Sequence, residues 1–210
     1  MSERAALPSG PPETLGVLLA AGASRRFGAA DKLLANWQGM ALVRVSAQIL
    51  ACAGCDRLAA VVSRPEVGAA LPDGFSTVSI APGQEMAASF HAALDLAAQI
   101  GAKRLLIALG DMPRISPLRL RALLSLPGRG AVLCADGRRM PPVLLQAKDF
   151  AQARALATGD HGARALLARF TPSELIALPE GEALDIDLAT DLALADQPAL
   201  GTGTDPASPR

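Results

Sequence analysis

Leu15-Gly16-Val17-Leu18-Leu19-Ala20 carries no polar side chain, and it runs directly into Ala21-Gly22-Ala23-Ser24-Arg25-Arg26-Phe27-Gly28. An unbroken apolar run of that length, closed by a glycine turn, reads as a strand covered on both faces. Arg104-Leu105-Leu106-Ile107-Ala108-Leu109 is a second such run, ended by Gly110. Arg57–Ser63 is a third, and Ser76–Ile80 alternates as a short strand. Between them lie stretches with helical spacing. Met40–Ala53 places Leu42, Val45, Ile49 and Leu50 on one face, and Met86–Ile100 does the same with Phe90, Leu94 and Leu96. Further on, Ser116–Leu124 reads as helix, Ala131–Ala135 and Val143–Gln146 as strands, and Phe150–Ala157 and Ala163–Phe170 as helices. Strands and helices in alternation predict an α/β chain: a mostly parallel sheet between two helix layers. Ligands of such sheets bind beyond the carboxyl ends of the strands, where the strand order reverses. The turns after Ala20 and after Leu109 are therefore the first places to look.

Composition sets the outer limits. Half of the 210 residues are apolar but only 3% are aromatic, so aliphatic side chains must build the core. Lys and Arg number 20, as do Asp and Glu, and a net charge of zero argues against a nucleic-acid binder. No apolar run reaches the length of a membrane span, and the start of the chain lacks a signal-peptide pattern. Three cysteines, an odd number, do not make a disulfide framework. The expectation is a reduced, cytoplasmic protein with no membrane partner. One domain is expected over residues 15–196, with flexible arms at 1–14 (Pro8, Gly10, Pro11, Pro12) and 197–210.

The turn after the first strand offers small residues, whose backbone N–H groups can approach an anion closely, and two arginines with Lys32 behind them. Walker A fails on spacing, since five residues separate Gly22 from Gly28 and Ala29 follows. The dinucleotide fingerprint fails because position 24 is Ser. What Leu19-Ala20-Ala21-Gly22-Ala23-Ser24-Arg25-Arg26-Phe27-Gly28 with Lys32 does resemble is the nucleotidyltransferase signature L-A-A-G-x-S-x-R-[MF]-G followed by Lys. That resemblance implies that Leu19, Ala20, Ala21, Gly22, Ser24, Arg26 and Lys32 bind the nucleotide, with Arg26 and Lys32 catalytic.

Gly110-Asp111-Met112-Pro113 holds a carboxylate at the end of a buried strand, and Pro113 blocks its drift into a helix. It resembles the family's L-x-D-x-P motif, which implies that Asp111 binds nucleotide through Mg²⁺ and is catalytic. Bringing a phosphate nucleophile to a triphosphate needs such a cation, held by hard carboxylates. Leu184-Asp185-Ile186-Asp187-Leu188 resembles the family's late D-[IV]-D segment, which implies a second metal carboxylate, Asp187 in preference to Asp185. Asp187 could also cap a helix beginning near Ala189. Gly83-Gln84-Glu85-Met86-Ala87-Ala88-Ser89-Phe90 resembles the turn beside the base, implying contacts from Gly83 and Ser89.

Gly159-Asp160-His161-Gly162-Ala163-Arg164 is similar to the G-D-x-G-A-R segment of the branch that modifies molybdopterin. It implies an acceptor site of Asp160, His161 and Arg164 together with Pro142. Physically, Asp160 reads as an N-cap and Arg164 as an anion contact. In Arg139-Met140-Pro141-Pro142 a bulky residue stands where the family usually has a small one.

Together these motifs, spread from Leu15 to Leu192, most resemble the MobA/MocA-like NTP transferases, and among them the molybdenum cofactor cytidylyltransferases. The resemblance implies a three-layer α/β/α, Rossmann-like fold of the nucleotide-diphospho-sugar transferase type. It implies CTP (or GTP) and molybdopterin as substrates, Mg²⁺ as cofactor, and a molybdenum hydroxylase as recipient. Guanylyltransferase relatives tend to have L-A-G-G at the first turn, so the methyl of Ala21 favours a pyrimidine. Another acceptor, such as a sugar or polyol phosphate, and a carrier without chemistry are the rival readings. Cys52-Ala53-Gly54-Cys55 has no second pair to complete a zinc site, and its Gly54 reads as a helix cap. Cys134 and Trp37 read as packing residues, and His91 as a packed or half-exposed side chain.

Overall fold

The computed structural model describes residues 12–22 and 31–183. In chain order its elements are β1 (Thr14–Ala20), the short pair β2 (Asn36–Trp37) and β3 (Met40–Ala41), α1 (Leu42–Ala51) and β4 (Arg57–Val62). Next come α2 (Pro65–Ala69), β5 (Phe75–Ser79), α3 (Met86–Gln99), β6 (Arg104–Leu109) and α4 (Pro117–Leu124). The chain continues through β7 (Gly130–Leu133), β8 (Arg139–Gln146), α5 (Phe150–Leu156), α6 (Arg164–Leu167) and β9 (Leu175–Ala177).

Seven strands form one sheet in the order β5-β4-β1-β6-β8-β7-β9. Strand β1 pairs in parallel with β4 on one side and with β6 on the other. The chain therefore builds outward through β4 and β5, then crosses back to place β6 on the far side of β1. That is the reversal predicted from the sequence, and it falls between β1 and β6. There the two carboxyl ends are tied together, since the Gly110 amide donates to Leu19 O at 2.9 Å.

Strand alternation sorts the core into two layers. Val17, Leu19, Leu105 and Ile107 face one side with Phe90, Leu94 and Leu166, whereas Leu18, Ala20 and Leu106 face the other with Leu50, Leu120 and Leu144. Each buried Leu, Ile or Phe stabilises the fold by roughly 1.5–3 kcal/mol, so the central strands anchor the molecule. Gly16 allows the tightest approach in β1. A Cβ there would lie 2.9 Å from Cys55 Sγ.

The second half of the sheet departs from the expectation. Strand β8 starts at Arg139 instead of Val143, and it runs antiparallel to both β6 and β7. Its register with β7 jumps between Ala131, opposite Val143, and Val132, opposite Met140. Pro141 and Pro142, which have no N–H to give a ladder, sit in that irregularity. Strand β7 ends at Leu133 because the Cys134 amide turns to Arg138 O at 2.9 Å, closing the hairpin. The helix expected over 163–170 is only the single turn α6. Strand β9, with only partial burial, and α2 were not foreseen. No helix among the described residues is long and apolar enough to cross a membrane.

Candidate active site

The first turn begins where β1 ends. Leu19, Ala20 and Ala21 are buried, while Gly22 is exposed with open space where a side chain would stand. The Ala21 carbonyl accepts a hydrogen bond from Ser63 Oγ at 3.2 Å, from the end of β4. Ser24 and Arg26 lie outside the described residues. At Asp31 the chain returns: Asp31 Oδ1 accepts from the Leu33 amide at 3.0 Å and caps a short helical turn, Lys32–Leu34. Arg64 Nε lies 3.6 Å from Asp31 Oδ2.

That cap fixes Lys32. Its side chain is 11% exposed and its Nζ lies 2.6 Å from Asp111 Oδ2, whose side chain is 19% exposed. Gly110 brings Asp111 there, since a Cβ at Gly110 would sit 3.2 Å from Leu19 O and 3.3 Å from Leu33 Cδ2. Met112 is buried behind it. The two sequence-predicted residues at the two strand ends thus meet directly, a cation against a carboxylate at the switch point of the sheet.

Gly83 has φ +77°, the left-handed region that favours glycine, in the turn that leads to α3. Ser89 is buried in the first turns of α3, beside buried Ala87 and Phe90.

On the opposite side lies a cleft of about 710 Å³. Leu19, Leu109, Phe90 and Met86 give it an apolar floor, and Arg138, Arg139, Asp160 and Arg164 line it as well. Arg164 opens α6 and is exposed, placed as an anion contact would need to be. Asp160 also lines the cleft but does not cap α6. It belongs to a separate turn, Gly159–His161, closed by Gly162 at φ +49°, and the N-cap position is Ala163, with no side-chain bond. The side chain of His161 lies outside the described part. Pro142 is not brought to this cleft: it lines a small cavity on the other face of the sheet with Ser46, Met112 and Leu120, and Pro141 lines the cleft instead. Alternation along β8 explains the swap.

Sequence reasoning missed Arg138 and Arg139, although two arginines beside a turn glycine were a visible signal. Arg139 Nη1 donates to Leu167 O at 3.1 Å and Ala168 O at 2.8 Å, joining β8 to the end of α6. Arg138 Nε lies 2.6 Å from Asp136 Oδ2 and holds that carboxyl below the usual carboxylate range. Three guanidinium side chains and one described carboxylate, Asp160, therefore line the cleft.

Asp185 and Asp187 lie outside the described residues. Among the described residues no group of three or more His, Cys, Asp or Glu could hold a metal ion. The chain shortly before Asp185 is fixed, because Glu182 Oε2 accepts from the Ser116 amide and hydroxyl at 3.0 Å each. Ser116 follows the Asp111 turn, so this segment returns to the same side of the molecule. The C-x-x-C pair is not a ready ligand pair, since burial pushes the Cys55 thiol up to about 12. Cys134 and Trp37 are buried, as a packing role requires.

Known proteins share this fold. No curated protein sequence matches the chain. The crystal structure of Rv0371c from Mycobacterium tuberculosis H37Rv superposes with a TM-score of 0.75 at 26% identity, over 88% of this chain and 98% of that one. Rv0371c in complex with manganese gives a TM-score of 0.70 at 24% identity, over 87% of this chain and 97% of that one. A nucleotidyl transferase from Methanothermobacter thermautotroptrophicus (Mth528) gives 0.74 at 21% identity, over 87% and 95%. CMP:2-keto-3-deoxy-manno-octonic acid synthetase in complex with CTP shares the fold at 13% identity, with a TM-score of 0.65 over 87% and 96%. The family model of the MobA-like NTP transferase domain matches residues 16–175, which contain both switch-point turns and the Lys32–Asp111 pair, and the chain belongs to that family as a nucleotidyltransferase.

Proposed function

We propose that this nucleotidyltransferase moves CMP from CTP to the terminal phosphate of molybdenum-loaded molybdopterin, releasing pyrophosphate and leaving a molybdopterin cytosine dinucleotide. The observation that carries the reading is the Lys32–Asp111 pair at the switch point, with a cleft lined by Arg138, Arg139 and Arg164 beside it. One side offers a triphosphate its charge partners, and the other offers them to an anionic acceptor.

A phosphate oxygen of the acceptor attacks the α-phosphorus of CTP, and the bond to the bridging oxygen of pyrophosphate breaks. The acceptor is already an anion, so no protein nucleophile or base is needed, and positioning with charge stabilisation carries the rate. In this reading backbone amides from Ala21 to Ser24 hold the triphosphate, and Arg26 and Lys32 neutralise it. Asp111 suits Mg²⁺, which usually takes one or two carboxylates and fills its shell with phosphates and water. When bound, the ion offsets repulsion between phosphate oxygens. Asp187, five residues beyond the anchored Glu182, is the second carboxylate we assign. Gly83 and Ser89 serve the base and ribose, and Asp160, His161 and Arg164 the acceptor.

The methyl of Ala21, buried beside the nucleotide turn, supports the choice of the smaller pyrimidine. One methyl in a pocket is worth about 1–3 kcal/mol. We further propose that residues 15–196 act as one domain in the reducing cytoplasm, where the free Cys52, Cys55 and Cys134 are at home, and that a molybdenum hydroxylase receives the product. The test is Mg²⁺-dependent pyrophosphate release with molybdenum-loaded molybdopterin, comparing CTP, GTP and ATP. Release with CTP alone is expected. Release with GTP alone overturns the base assignment, and silence with all three overturns the acceptor.

A further inference from the structure

Two residues at the carboxyl end of β4, Ser63 and the half-exposed Arg64, meet both flanks of the turn assigned above to the triphosphate. Ser63 Oγ donates to Ala21 O at 3.2 Å on the incoming flank. Arg64 Nε lies 3.6 Å from Asp31 Oδ2 on the outgoing flank. Consecutive residues of one strand end thus reach two points that stand ten positions apart in sequence.

Each contact has a specific consequence. In a planar trans peptide the C=O and the following N–H point in opposite directions. Fixing the Ala21 carbonyl toward Ser63 therefore turns the Gly22 N–H away from β4, and Gly22 itself carries no Cβ to obstruct an anion. On the other flank, Asp31 is nearly enclosed, with a side chain 7% exposed, and its two oxygens are divided between roles. Oδ1 caps the Lys32–Leu34 turn through the Leu33 amide, and Oδ2 faces Arg64. The capped turn sets where the Lys32 backbone starts, and hence that its Nζ meets Asp111 Oδ2 at 2.6 Å.

We infer that Ser63 and Arg64 are positioning residues for triphosphate binding: Ser63 sets the direction of the Gly22 amide, and Arg64 sets Lys32 through Asp31. The inference rests on the proposed roles of Gly22 and Lys32. It does not depend on which base or which acceptor is used.

The test is calorimetric titration of the full chain with Mg²⁺ and CTP, GTP, ATP or UTP, and separately with CMP. The variants are Ser63→Ala, Arg64→Ala, Arg64→Lys and Lys32→Ala, each with a thermal melt. For the triphosphate that wild type binds best, Ser63→Ala and Arg64→Ala each lose about threefold to tenfold in affinity, the scale of one neutral hydrogen bond or one half-exposed ion pair. Arg64→Lys recovers part of the loss, and CMP affinity stays close to wild type, because the phosphates beyond the first feel the change. Triphosphate affinity unchanged in both alanine variants overturns the inference. So does an equal loss for CMP and triphosphate, which would signal general loosening of the site. Normal triphosphate binding by Lys32→Ala instead overturns the role assigned to Lys32, so the two failures are told apart.

Discussion

At 2.6 Å, Lys32 and Asp111 already pair, so in the proposed reading an incoming magnesium–triphosphate would have to separate them. Asp111 is then the residue whose charge matters most at this site. Asp111→Asn removes the carboxylate while keeping the shape, and pyrophosphate release should fall by at least about 100-fold, the usual cost of losing a transition-state electrostatic contact. It also leaves the mostly buried Lys32 without this partner, which should destabilise the fold by about 1–3 kcal/mol. A cooperative melt at a slightly lower temperature, together with lost turnover, is the expected pattern, and wild-type turnover would contradict the assignment. Gly110 is the companion case. A methyl added there would meet Leu19 O at 3.2 Å and Ala20 Cβ at 3.3 Å, so the Asp111 turn and β1 must give by a few tenths of an ångström. Gly110→Ala should therefore lower kcat by about threefold to tenfold, a fraction of what a full misplacement of about 1 Å can cost. Steady-state rates with both substrates saturating would check it.

Elements were legible in proportion to how strongly their own residues declared them. Strands β1 and β6 stood out because burial on both faces demands unbroken apolar runs, and they carry the two turns that make the switch point. Strand β8 was read short because Pro141 and Pro142 look like a break, whereas a register shift against β7 accommodates them. Strand β9 is three residues long and held from outside, by an edge network that local pattern does not reveal. Arg129 Nε lies 2.8 Å from Glu174 Oε1, its guanidinium sits 4.7 Å from the Phe170 ring centre, and the Thr171 amide donates to Glu174 Oε2 at 2.7 Å. Burial alone would raise the Glu174 carboxyl, but the bonds from Arg129 and Thr171 outweigh it and hold it below its usual 4.5. A carboxyl held low in the folded state stabilises it at pH values above the unfolded range, and that contribution fades as the pH falls through the folded value. Glu174→Gln should thus lower the melting temperature at pH 7 and flatten its decline below pH 4.5. Parallel acid titrations of wild type and variant, followed by melting temperature, would show curves converging at low pH; curves that stay a constant distance apart would refute it.

Across the whole molecule, the strand order divides the labour. In the proposed reading the β1, β4 and β5 half of the sheet serves the triphosphate, with Ser63 and Arg64 against Ala21 and Asp31 on either flank of the nucleotide turn. The arginines of the cleft come from beyond β6, Arg138 and Arg139 from the start of β8 and Arg164 from α6, while Leu19 at the end of β1 shares its floor. The sequence marked Lys32 and Asp111 because each sits in a local motif. It could not mark Ser63, whose partner Ala21 is 42 positions away, nor join Arg139 to Leu167 across 28. Such contacts exist only once the sheet is assembled. The division has a kinetic consequence, because substrates bound on different halves should be weakened separately. Arg164 is exposed, opens α6, and lines the cleft, whereas Ser63 and Arg64 do not line it. Arg164→Ala should raise the KM for the acceptor by about 10-fold or more, as expected for loss of a charge-assisted hydrogen bond. The KM for CTP should stay the same. Arg64→Ala should do the reverse. Initial rates over a grid of both substrate concentrations distinguish this from a shared loss: if Arg164→Ala raised both KM values equally, the two halves of the sheet would not be separate binding sites, and the acceptor would have to be sought elsewhere on the surface.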